Sequence, residues 1–192
     1  EGGMASHAEV QAALDTFAAS EKPGELTDML IKPIHEIART GIVSYKWSSL
    51  CFMLIHRLRE VLRDSPPPRE GDVASYQGEG TWDEACASVC SLLESLEGPP
   101  FTVQRLCELL EKPTHHHRSR LKLLSAVDKL VSVTTLSPTY SHEESQVILE
   151  QAEKRVAEER ARAEAEAALR REQQRQQQEQ QAMEAAAAAG GG

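Results

Sequence analysis

The chain has 192 residues, 21 Lys+Arg against 30 Asp+Glu, and a formal net charge of −9 at pH 7. Residues 1–140 hold 14 cations against 19 carboxylates and residues 141–192 hold 7 against 11, so neither part has the basic excess that binding along a phosphate backbone requires. No apolar run is long enough to span a bilayer and no basic-then-apolar leader opens the chain, which makes a protein the default partner for an acidic chain.

In chain order, Glu1-Gly2-Gly3 before Met4 reads as a cloning remnant, and residues 1–5 are expected to be that remnant or disorder. From residue 6 to 140 apolar residues recur at helical spacing, and all eight aromatics fall there, so the core belongs to this part. Val10, Leu14 and Phe17 mark a first helix. Leu26, Leu30, Ile34 and Ile37 mark a second, closed by Gly41 and kinked or split at Pro33. Trp47, Leu50, Leu54, Leu58 and Val61 mark a third, stopped by Asp64, Ser65 and three prolines. Residues 65–80, rich in Pro, Gly, Ser and charge, are expected to be an exposed linker.

A fourth helix has a capping box in Thr81-Trp82-Asp83-Glu84, and its face is Trp82, Cys86, Val89, Leu93 and Leu96. Gly98-Pro99-Pro100 ends it. Thr102 is expected to cap a fifth helix with Val103, Leu106, Leu109 and Leu110 facing inward, and a sixth spans about Ser119 to Leu130. The β-branched stretch 131–136 predicts a short strand, an edge hairpin or an extended tail packed on helices.

Residues 141–189 differ in kind. They are Ala, Glu, Arg and Gln with no Gly or Pro, and Glu150/Lys154, Glu158/Arg162 and Glu166/Arg170 have the favoured i,i+4 order. Leu149, Val156 and Ala163 recur at sevens, but the seam dissolves near Arg170, so the expectation is a single solvated helix before the Gly190–Gly192 tail. The fold class is therefore all-α: a compact bundle of about six helices, then a long solvated helix.

Chemistry is sparse. There is no GxSxG, P-loop or GxGxxG, and the one Gly-Asp pair, Gly71-Asp72, sits in the linker without the histidines that metal-assisted phosphate hydrolysis needs. His115-His116-His117 could meet a metal, but three adjacent side chains rarely converge on one ion, and a solvated loop is the simpler reading. Cys86 and Cys90 share a helical face among Val89, Leu92 and Leu93, where burial is the simpler reading. With Cys51 and Cys107 they form no CxxC pair, which fits small buried hydrophobes in a reducing compartment. No enzyme activity, cofactor or metal is expected.

Segment 112–129 carries Lys112, Arg118, Arg120, Lys122 and Lys129 against Asp128, a local net of +4. Helices five and six could form a helix-turn-helix with nucleic acid as its target. The loop is long for that motif and no Arg, Asn or Gln set is aimed at base edges, so docking on an acidic protein surface is preferred. A structural spacer or coiled coil built on the last helix is the third reading.

The run Pro100-Phe101-Thr102-Val103-Gln104-Arg105-Leu106-Cys107-Glu108-Leu109-Leu110 resembles the signature of the protein phosphatase 4 regulatory subunit 2 family. Leu124–Val133 is similar to the family's next helix and valine-rich stretch, and Ile37-Ala38-Arg39-Thr40-Gly41 with Trp47-Ser48 to its upstream elements, so the likeness spans about residues 8 to 138 in order. The resemblance implies a non-catalytic subunit of a type-2A-like Ser/Thr phosphatase complex. Such a subunit binds the protein phosphatase 4 catalytic subunit through this domain, joins a third regulatory subunit, and works in nucleus and cytoplasm, including the centrosome. Family members commonly continue into a long acidic disordered region, where this chain has its charged helix. From position on helices five and six, Phe101, Gln104, Arg105, Arg118, Arg120 and Lys122 are the expected partner contacts, with Arg105 pairing locally to Glu108 as the competing use.

Overall fold

A computed structural model describes residues 5–64, 81–113 and 119–189, without the side chains of residues 169, 172–173 and 176–189. The expected linker 65–80, the His115–His117 run, Arg118 and both chain ends lie outside the described residues.

Seven helices form among the described residues: α1 His7–Ala18, α2 Asp28–Thr40, α3 Trp47–Asp64, α4 Trp82–Glu94, α5 Val103–Glu111, α6 Arg120–Val131 and α7 His142–Ala189. Three begin with the same local device. The Ser6 side chain accepts the Glu9 N–H while Glu9 takes the Ser6 N–H at 2.8 Å; Thr81 and Glu84 repeat the exchange at α4, and Ser141 and Glu144 at α7. α2 ends at Gly41, whose φ of 71° is the left-handed turn that glycine adopts without a Cβ clash.

α3 packs against all five other helices of the bundle. Its expected stripe of Trp47, Leu50, Leu54, Leu58 and Val61 is buried, and so are Cys51, Met53, Ile55 and Leu62, so this helix is apolar around most of its girth. α1 lies on α3 through Val10, Leu14 and Phe17, and the one buried polar side chain of α3, Ser49, donates to the Asp15 carboxylate of α1. α2 packs most extensively on α5, and α4 and α6 pack together and on α3. Side-chain bonds to carbonyls lock the joints: Trp47 Nε1 donates to Leu96 O at 2.8 Å and Cys51 Sγ to Leu93 O at 3.4 Å.

Of three open expectations, the Thr102 cap is corrected, and two are narrowed, to an unsplit α2 and to the extended tail among the readings for 131–136. Pro33 does not split α2, which runs unbroken from Asp28 to Thr40. Its missing N–H and ring affect only the Met29 carbonyl in the helix's first turn, and the helix continues on its buried face of Leu30, Ile34 and Ile37. Thr102 occupies the N-cap position of α5 but does not cap it; its backbone is not extended, and its hydroxyl donates to Leu130 O at 2.6 Å. The stretch 131–136 forms neither strand nor hairpin. Val131 closes α6, and the following chain is an extended strap that makes two isolated bridges, Pro100 with Leu136 and Val43 with Thr139. β-branched propensity does not produce a strand where no second strand supplies a continuous ladder.

Contacts divide the chain into two units, Glu1–Ser145 and Gln146–Gly192. The described part of the second is the 44 residues of α7 from Gln146 to Ala189. From Glu150 onward its described side chains are exposed, and Glu166 pairs with Arg170 at 2.6 Å, as a helix polar on every side requires. No described helix is long and apolar enough to cross a membrane.

Two outcomes follow from this packing. Leu54→Ala, at a site with no solvent exposure, should cost about 2–5 kcal/mol in urea unfolding. Hydrogen bonds from Ser6 and Thr81 hold the Glu9 and Glu84 carboxyls below the usual glutamate range. A carboxyl that ionises more readily folded than unfolded adds stability that is complete above its unfolded-state value and fades as pH falls through its folded-state value. The Glu9→Gln/Glu84→Gln variant should thus be less stable than the parent at neutral pH. The gap between their urea midpoints should close as pH falls through and below the ordinary glutamate range.

Candidate functional site

The start of α5 is built by a turn and a strap. Pro99 and Pro100 are buried, and Val103 N–H closes the turn onto Pro100 O at 2.8 Å. The strap holds the backbone of this turn from outside, with Phe101 N–H donating to Thr135 O at 3.0 Å and Ser137 N–H to Pro99 O at 2.7 Å. Phe101 is nevertheless 57% exposed, in a run where Val103, Leu106, Cys107, Leu109 and Leu110 are all buried. Its backbone is fixed and its ring is in water, which is unusual for an aromatic side chain of this size.

One turn later, Gln104 Nε2 donates to Ala38 O at 3.2 Å, near the C-terminus of α2. A Cβ added at Gly41 would lie 2.9 Å from Gln104 Oε1, so this glycine serves both the left-handed turn and the close approach of α5. Gln104 therefore helps join α2 to α5. Arg105 pairs with Glu108 at 2.5 Å, the local use expected for it, and stays about half exposed.

The basic residues of α6 lie elsewhere. Because the Thr102 hydroxyl reaches Leu130 O, the end of α6 meets the start of α5. Arg120 and Lys122, at the start of α6, are thus at the opposite end of α6 from that junction. Arg120 donates to Arg63 O at 2.8 Å and stacks 5.9 Å above the Trp82 ring. That places a cation on the carbonyl end of α3, where the helix dipole favours it. Lys122 is exposed. The expected contacts form two sets, not one patch, and Arg120 is engaged within the bundle.

The thiols are suited to packing. Burial pushes Cys51 up to about 12 and Cys86 up to about 11, and raises Cys90 and Cys107 as well. All four are kept from the thiolate form that attacks or ligates. Sequence reasoning missed several surface apolar residues, among them Leu92, read as part of a buried face, Phe52 at 36% and Leu136 at 41% exposure. Phe52 had a readable signal, an aromatic off the 47/50/54/58/61 stripe of α3. Leu136 had none, because its exposure depends on the path of the strap.

Comparison with known proteins gives a consistent result. The model of the PPP4R2 family matches residues 10–188. Among curated proteins, the chain is 28% identical over 148 residues to a Drosophila melanogaster protein named serine/threonine-protein phosphatase 4 regulatory subunit 2, covering 74% of this chain and 24% of that one. It is 29% identical over 132 residues to regulatory subunit 2-A of Danio rerio and 30% identical over 129 residues to regulatory subunit 2 of Homo sapiens, each covering 66% of this chain and 31% of the relative. The chain thus spans about a quarter to a third of the length of these relatives. No solved structure matches it.

The Gly41–Gln104 contact can be measured. Gly41→Ala should destabilise the bundle by at least about 1–2 kcal/mol from the left-handed backbone alone. In a urea double-mutant cycle, Gln104→Ala should reduce the cost of Gly41→Ala without abolishing it, since the steric part is relieved and the backbone part remains.

Proposed function

We propose, from the fact that this chain belongs to the PPP4R2 family, that it acts as a non-catalytic regulatory subunit whose helical domain binds the catalytic subunit of the Ser/Thr protein phosphatase 4 complex. The observation that carries the proposal is the family match over residues 10–188, with relatives named as regulatory subunit 2 of that phosphatase. One structural feature supports it: the helical body presents an aromatic ring on a fixed backbone to water at the start of α5. Exposed aromatics on fixed backbone make effective anchors, because little conformational freedom is lost on docking.

In this reading Phe101 is the anchor, Arg105 flanks it, and Gln104 contributes its exposed edge while tying α5 to α2. Lys122, on α6, is a second and separate contact, and Arg118 and Arg120 are the remaining proposed contacts. A third regulatory subunit joins the assembly, and the complex acts in nucleus and cytoplasm, including the centrosome; both are part of the proposal. The role of the domain is to place the phosphatase or set its activity on chosen substrates.

Phe101→Ala should lower co-purification of the phosphatase 4 catalytic subunit by about tenfold or more, as loss of an interface hot spot does, with an unchanged melting temperature. Arg105→Glu should have the smaller effect, because Arg105 already pairs with Glu108. Undiminished co-purification of Phe101→Ala would remove this surface from the docking site.

A further inference from the structure

A second surface lies where the first half of α3 meets the end of α4. A groove of about 580 Å³ runs there, floored by Trp47, Phe52, Ile55 and Leu96 and edged by Glu94 and Glu97. Trp47 and Ile55 are largely covered by neighbours, Leu96 is half-buried, and the Phe52 ring is 36% exposed. The walls are preformed, since Trp47 Nε1 holds Leu96 O and Cys51 Sγ holds Leu93 O across the α3–α4 joint. Phe52 is backed by an edge-on contact with Phe17, ring centroids 5.8 Å apart.

The charge on this groove runs against its own helix. The end of α4 carries the negative end of the helix dipole, where sequences usually supply Lys, Arg or His. The last turn of α4 has no basic residue and instead holds Glu94, with Glu97 three residues on. No salt bridge among the described residues engages either carboxylate. Lys46 is the one cation lining the groove. Two carboxylates and a helix C-terminus thus make an acidic edge beside an apolar floor.

We propose that this groove docks a short basic amphipathic segment of a partner protein. Apolar side chains one helical turn apart rest on Phe52 and Leu96, and an Arg or Lys sits on Glu94, Glu97 and the carbonyl end of α4. The complement is specific in sign: a cation neutralises both the carboxylates and the dipole, whereas an acidic segment meets repulsion at that edge. This site is distinct from the Phe101 surface and does not depend on it.

The probe is a fluorescein-labelled twelve-residue amphipathic peptide with Leu at positions four apart and Arg on its polar face, titrated against the full chain by fluorescence anisotropy. Its counterpart has every Arg replaced by Glu. The Arg peptide should bind at least tenfold more tightly than the Glu peptide. Glu94→Lys/Glu97→Lys should abolish that preference, and Phe52→Ala should weaken binding about fivefold. Glu21→Lys/Glu25→Lys, the same charge change at two exposed residues between α1 and α2, should leave the affinity unchanged. Equal loss in that control would mean a diffuse charge effect and overturn the proposal, as would binding insensitive to Phe52→Ala. Sedimentation of the chain alone supplies the remaining arm. A monomer is expected; a dimer that the Glu94→Lys/Glu97→Lys variant dissociates would assign the groove to a second copy and overturn the proposal equally.

Discussion

The rest of the structure depends on one burial problem, that of α3. Ten of its eighteen residues are buried, from Trp47 at its start to Leu62 near its end. No single partner can cover a helix that is apolar over so much of its circumference, and leaving any side wet forfeits about 1.5–3 kcal/mol for each large apolar side chain. Five helices are therefore arranged around it. Their placement fixes where the turns fall, and the Pro99–Phe101 turn and the α3–α4 groove are both consequences of covering this helix.

Much of that arrangement is legible in the residues. Leu14, Leu50, Leu54, Leu58, Leu106 and Leu110 fall at helical spacing, and each is fully buried. The Thr81–Glu84 box and the Gly41 stop are local signals with local causes, and both form as read. What failed to show in the sequence involved partners distant in the chain. Thr102 looks like a cap, but its hydroxyl is taken by a carbonyl 28 residues away. Arg120 reads as a free basic residue, yet it is engaged by Arg63 O and Trp82 on other helices. The 131–136 stretch has the composition of a strand, but what it meets in the fold is the Pro99–Phe101 turn, not a second strand.

The candidate site was less legible than the fold, for the same reason. Periodicity separates inward from outward positions, so it identifies Val103, Leu106 and Leu110 as core. It does not distinguish Phe101, outside the helix and fixed by the strap, from any other exposed residue. Nor does spacing reveal that Gln104 serves a helix joint near Gly41 while the basic residues of α6 stand at the other end of that helix from its junction with α5. The signature run resembling the family's thus combines two roles. Its apolar positions hold α5 against α2, and a small number of its remaining side chains are left for a partner.

The account's central claim is adhesion of this body to a separate enzyme. The most direct measurement mixes the purified chain with purified phosphatase 4 catalytic subunit and follows them by size-exclusion chromatography with light scattering. The account predicts a co-eluting species with the summed mass of the two proteins. Independent elution at concentrations well above those of stable complexes, with both proteins folded, would contradict it.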